Sequence, residues 1–306
     1  MDLPRFPDFV PIRLADREAI QARLSAYRPE VSELSFTNLF IWQEHYGIQW
    51  SVSGEHLLVI CTAGGSRCHA LPPVGPPGRA AVCRELLEYL RAERKAEDPQ
   101  IERADARLSQ ELAGHPDFAI EPVRDHFDYL YLRKELVELA GKKYHGKRNH
   151  IAQFERRHTW RYESLDDKRA AACRELALHW CQIKRCEEDQ GLSGESRAVE
   201  TALLHIGSLD LRCGSILLDG RVAAFCLGEM LTPDTAVVHI EKADPDIPGL
   251  YPLINREFCR RAVPDATFVN REQDLGEEGL RRAKLSYHPV RLVEKFRIRL
   301  SLGIRA

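Results

Sequence analysis

Nowhere in this sequence do about 18 apolar residues run together, so no segment is expected to cross a bilayer as a helix. Met1 to Leu14 lacks the apolar core and small-residue cleavage pattern of a signal peptide, and the expected location is the cytoplasm. Charge of one sign is also missing: a net charge of -2 leaves any anion binding to local clusters. The nine cysteines form no Cys-x-x-Cys pair and are odd in number, which argues against a disulfide framework and against structural zinc. Cys181 and Cys186, with His179 nearby, read as a coincidence on a helix surface, and no metal is expected. Walker loops, Gly-x-Ser-x-Gly elbows and His-Glu-x-x-His zinc motifs are absent.

What is present suits two globular domains, 1–140 and 141–306. In the second half, residues 160–164 read as a strand, 167–184 as a long amphipathic helix and 196–204 as another. Asp219-Gly220 between apolar runs is the signature of a two-residue hairpin, because both turn residues need positive φ. A strand at 236–243, a helix at 249–262, a strand at 266–270, a helix at 275–286 and a strand near 290–299 follow. Asp274 and Glu277 have the spacing of a capping box for the last helix.

The first half repeats the order more faintly, with a strand at 9–14 and helices at 17–27 and 36–46. A hairpin turning at Ser53-Gly54, a strand at His69-Ala-Leu-Pro, a helix at 78–94 and a strand from Asp128 follow. Strand, two helices, meander, helix, strand, helix, strand occurs twice, which suggests duplication. The expected class is α/β (α+β): two GNAT-like (N-acetyltransferase) domains in tandem, each a mixed, mostly antiparallel sheet flanked by helices.

Three segments carry a resemblance: His239-Ile-Glu-Lys-Ala-Asp, Gly249-Leu-Tyr-Pro-Leu-Ile-Asn-Arg-Glu-Phe, and Val269-Asn-Arg-Glu-Gln-Asp-Leu-Gly. Together with Ser32-Glu-Leu-Ser-Phe-Thr-Asn and Gly141-Lys-Lys-Tyr-His-Gly-Lys-Arg-Asn-His, they resemble an uncharacterised bacterial family. That family is grouped with the C-terminal domain of phosphatidylglycerol lysyltransferase. The resemblance implies a tandem GNAT fold and, more distantly, kinship with Fem-type enzymes that move an amino acid from aminoacyl-tRNA to a lipid or a peptide.

Acyl transfer needs a base, donors for an oxyanion and a grip on the carrier. Glu241 is the candidate base, on a strand where it alternates with His239 and Val237; an ion pair with a nearby Arg is the alternative. Asn270 and Glu272, where the next strand ends, are the other catalytic candidates. Arg271, His239, Lys242, Asn255, Asp274 and Lys284 are candidates for holding substrate, with a polar network fixing helix to sheet as the alternative. From 142 to 161 there are seven Lys/Arg against one acidic residue, so Lys142, Lys143, Lys147, Arg148 and Asn149 are candidates for the phosphates of a tRNA or coenzyme A. The coenzyme A loop of GNAT enzymes is incomplete: Gly75-Pro-Pro-Gly78-Arg-Ala80 lacks its first position, and Leu250-Tyr251 break it after Gly249. Aminoacyl-tRNA is therefore favoured over acyl-CoA, with a small molecule, lipid or peptide as acceptor. An acyl-CoA N-acyltransferase and a metabolite-binding module are the other readings.

Overall fold

The computed structural model describes residues 3–63 and 68–301. Its chain divides into two units. One runs through Asp128 and takes in Gln273–Glu277 and the segment from Leu292 onward; the other comprises Tyr129–Glu272 and Glu278–Arg291. Residues 129–140, assigned above to the first half, thus lie in the second unit.

The first unit is built on a seven-stranded sheet in the order β1-β2-β3-β4-β5-β14-β6. Its strands are β1 (Val10–Pro11), β2 (Ile48–Ser53), β3 (His56–Cys61), β4 (His69–Ala70), β5 (Gln100–Ala104), β6 (Phe118–Pro122) and β14 (Phe296–Leu300). Helices α1 (Arg17–Tyr27), α2 (Phe36–Ile41), α3 (Gln43–Tyr46), α4 (Ala80–Ala92) and α5 (Ala106–Leu112) join them. Ser35 starts α2 by accepting the Asn38 amide at 3.1 Å. The α4 residues Leu86, Leu87 and Leu90 bury against Leu58, Ile60, Ile101, Leu108 and Ile298. Ile298 shows that the chain's last strand sits inside this core.

The second unit is built on the order β13-β7-β12-β11-β10-β9-β8. These are β7 (Asp128–Leu132), β8 (Trp160–Glu163), β9 (Arg212–Leu218), β10 (Arg221–Met230), β11 (Thr235–Ala243), β12 (Phe268–Asn270) and β13 (Arg291–Val293). Its helices are α6 (Arg133–Glu138), α7 (His145–Arg157), α8 (Asp167–Lys184), α9 (Gln190–Leu204), α10 (Leu250–Arg261) and α11 (Glu278–Leu285). Asp219 (φ 48°) and Gly220 (φ 82°) make the expected hairpin between β9 and β10. Asp166 and Asp189 cap α8 and α9 by accepting the amides of Arg169 and Leu192, each at 2.9 Å. Both sheets are mostly antiparallel and flanked by helices, as the element order implied.

Three local expectations change. The closing strand expected near 290–299 is two strands, β13 and β14, in different sheets. The closing helix starts at Glu278, and the Asp274 carboxylate instead accepts the Gly276 amide at 2.9 Å in a tight turn. Cys181 and Cys186 are joined in a disulfide with Cα atoms 5.0 Å apart, which corrects their reading as a coincidence. Arg185, between them, ends α8 in the left-handed conformation, and this turns Cys186 back toward the helix.

Candidate functional site

The second unit has an opening between two parallel strands. β11 and β12 pair only over Thr235–Val237 and Phe268–Asn270. From Val238 to Ala243, β11 keeps its antiparallel neighbour β10 but runs on past the end of β12. A bulge adds to the irregularity: Leu227 pairs with Ile240 and Gly228 with Val238, so His239 is the extra residue. The plain alternation expected for Val237, His239 and Glu241 is therefore interrupted. Gly228 permits the close approach, since a Cβ there would lie 2.3 Å from the Val237 carbonyl oxygen.

Glu241 and Arg271 meet in this opening. Arg271 Nη2 donates to both Glu241 oxygens, at 3.0 and 3.2 Å, and Asn255 Nδ2 of α10 donates to Glu241 Oε2 at 3.0 Å. The ion-pair alternative for Glu241 is thus what the geometry shows. Two atoms of the cluster are left over: Arg271 Nη1 and Asn255 Oδ1 are buried without a hydrogen-bond partner. The Asn255 amide cannot be turned to relieve this, because its oxygen would then face the Glu241 carboxylate. A buried donor and a buried acceptor, on two residues that hold one carboxylate, are an uncompensated cost that a ligand would remove.

Aromatic rings and a lysine complete the cluster. The Arg271 guanidinium lies 4.7 Å from the Tyr287 ring centroid and 5.8 Å from that of Tyr131. The Lys147 ammonium sits 4.0 Å from the Tyr287 centroid. Burial, reinforced by the Arg271 charge, pulls the Lys147 amine below the usual lysine range. For Arg271, burial works against the charge, but Glu241 together with Tyr287, Tyr131 and Cys259 outweighs it and keeps the guanidinium firmly ionised.

Asn270 and Glu272 have supporting places. Asn270 Oδ1 accepts the Glu272 amide at 2.8 Å, which stabilises Glu272 at a φ of 55°. Glu272 Oε1 then accepts from His239 Nδ1 at 2.9 Å, while Glu229 Oε1 accepts from His239 Nε2 at 2.9 Å. Burial alone would depress the imidazole, yet the two carboxylates outweigh it and raise its pKa to about 10. His239 is therefore an imidazolium tying β10 to the end of β12, and Asn270 and Glu272, on either side of Arg271 in the chain, are held by these bonds.

Lys242 points to the opposite face of β11 from Glu241, as alternation of neighbours requires. There it donates to Glu195 Oε2 of α9 at 2.8 Å and lies 3.4 Å from the Trp180 ring centroid of α8. Helices from the two faces meet where β12 is missing: Trp180 Nε1 donates to the Tyr251 hydroxyl of α10 at 3.0 Å. This pair was not singled out in the sequence. The signal was faint, a tryptophan on an exposed helix and a tyrosine just after Gly249.

The remaining candidates are dispersed. Asp274 belongs to the first unit, where Arg124 Nη1 donates to it at 3.3 Å. Lys284 Nζ donates to the Arg271 carbonyl at 2.5 Å, holding backbone. In the basic segment, Lys143 pairs with Glu135 at 2.8 Å and Arg148 donates to the carbonyls of Leu139 and Gly141. Asn149 meets the His145 ring at 3.0 Å. Lys142 stays exposed, and Lys147 joins the Glu241 cluster. The expected single anion patch is thus split.

The start of α10, where GNAT enzymes bind a pyrophosphate, is covered. A Cβ on Gly249 would lie 2.7 Å from the His150 carbonyl oxygen and 2.9 Å from Phe154 Cβ, both of α7. Pro252 removes one amide of the first turn. Among the described residues no helix is long and apolar enough to cross a membrane.

Comparison with known proteins accords with this architecture. A conserved protein of unknown function from Bacteroides thetaiotaomicron is 34% identical, with a TM-score of 0.87 over 98% of this chain and 100% of that one. L-PGS from Bacillus licheniformis shares the fold at 15% identity and a TM-score of 0.63, over 98% and 94% of the two chains. A tandem GNAT protein from the clavulanic acid biosynthesis pathway shares it at 13% identity and a TM-score of 0.52, over 96% and 98%. The fold is a tandem GNAT fold. A family model described as phosphatidylglycerol lysyltransferase, C-terminal, matches residues 25–299, and the chain belongs to that family.

Proposed function

We propose that the second unit transfers an aminoacyl group from a phosphate-bearing carrier, in the first place aminoacyl-tRNA, to an amine or hydroxyl acceptor. The observation that carries this reading is the pair of unsatisfied atoms beside Glu241. An aminoacyl ester has an α-ammonium next to a carbonyl. Asn255 Oδ1 and the Glu241 carboxylate suit the ammonium, and Arg271 Nη1 suits the carbonyl oxygen, which gains charge during attack. Lys147, half-buried and depressed in pKa, is the group able to accept the acceptor's proton and return it to the leaving ribose oxygen. Asn270 and Glu272, with His239 bonded to Glu272, hold the chain on either side of Arg271 without touching substrate. The covered start of α10 favours a carrier other than coenzyme A.

The test is loss of label from a pool of charged tRNAs in the presence of candidate lipid, peptide and amine acceptors, with calorimetry against acetyl-CoA in parallel. Transfer is expected, with Arg271→Met and Asn255→Leu each reducing it roughly 100-fold or more. Binding of acetyl-CoA together with no binding of any charged tRNA would overturn the reading.

A further inference from the structure

The disulfide lies at the tip of the helical pair that closes the opening. Cys181 is in the last turn of α8, directly after Trp180, and Cys186 begins a 3-10 turn, Cys186–Glu188, that leads into α9. The two arms of this corner grip the same lysine: Trp180 from α8 and Glu195 from α9. Trp180 also donates to Tyr251, whose hydroxyl is close enough to feel the charges of Glu241 and Glu195. The corner is otherwise lightly packed, with Leu178 and Ile183 on α8 58% and 42% exposed. Burial holds the thiols of Cys61, Cys83, Cys213 and Cys259 up near a pKa of about 12, so they stay protonated and unreactive. Cys181 and Cys186 are the one bonded pair among the described residues.

We infer that the Cys181–Cys186 disulfide is a redox latch that fixes Trp180 against Tyr251 and so closes the opening between β11 and β12. This rests on the site reading above and adds its regulation. A low-molecular-weight thiolate attacks Sγ of Cys181, the less buried of the two residues, forming a mixed disulfide and expelling the Cys186 thiolate. A second thiol displaces the first, leaving two protein thiols and one external disulfide. Oxidation is the same exchange in reverse. Reduction frees the last turn of α8 and with it the Trp180 side of the closure.

The test uses the whole chain in glutathione buffers of stepped ratio, with thiols trapped and the peptide masses read. The pair is expected to interconvert within that range, and the fluorescence of Trp180 to change in step, a change absent from Trp180→Phe. Lys184 and Arg185 lie inside the disulfide ring, so trypsin is expected to cut there about tenfold faster after reduction. Cys181→Ser and Cys186→Ser should both behave as reduced protein at every ratio. A pair that never changes state, or one that changes without altering Trp180 emission or cleavage, overturns the latch. None of these readings uses a carrier or acceptor, so they succeed or fail separately from the transfer assay.

Discussion

Single side chains here act in compensating pairs, and the pairs can be broken one at a time. Glu241 and Arg271 are nearly buried, 13% and 12% exposed, so Glu241→Gln leaves an uncompensated guanidinium. The expected loss is about 3 kcal/mol of stability, read by urea denaturation. His239 gives a pH signature. Its folded pKa, about 10, lies above its ordinary 6.5. The stability it contributes is therefore complete below pH 6.5 and is lost as pH rises through about 10. Denaturation midpoints of the wild type should fall between pH 7 and 10 more than those of His239→Gln; equal slopes would remove the imidazolium. The residue types that gather at the opening were legible in the chain, because charged and amide groups at strand ends have little structural reason to be there. Their partners were not legible. Glu241 meets Arg271 across 30 positions, and only coordinates show that Lys147 leaves its basic neighbours to join them.

At the scale of elements, local chemistry was the better guide. The Asp-Gly hairpin and helix α8 lie where the sequence placed them, since turn φ values and capping are decided within a few residues. The closing strand was misjudged because hydrophobicity does not reveal which sheet a strand joins. Gly249, where the sequence showed only a broken coenzyme A loop, answers a structural demand. At a φ of 97° and against α7, Gly249→Ala should cost about 2 kcal/mol or more, seen as a lower thermal midpoint. Lys142, in the turn before α7, and Arg156 and Arg157, at the end of α7, are exposed. Replacing these three with Ala should weaken polyanion binding and flatten its dependence on salt, measured by titration with charged tRNA. An unchanged salt slope would remove α7 from the carrier interface.

For the molecule as a whole, the last segment matters most to the first unit. Lys295, fully buried, lies 2.6 Å from both Glu33 Oε2 and Asp128 Oδ1, and Glu33 also pairs with Arg103 at 2.7 Å. Lys295→Met removes the cation between two buried carboxylates, and a loss of about 3–5 kcal/mol is expected in the first unit, measured by hydrogen exchange.

Strand β14 pairs antiparallel with β5 on one side and β6 on the other, so a place inside the edge of the first sheet is filled by residues synthesised long after both of their neighbours. On the ribosome, the N-terminal unit waits with a slot between β5 and β6 while some 170 further residues emerge. The segment from Tyr129 to Glu272 contains most of the other unit and is under no such delay. The order of completion is thereby reversed relative to the order of translation, and the vacant slot is where chaperone capture and aggregation during synthesis should concentrate.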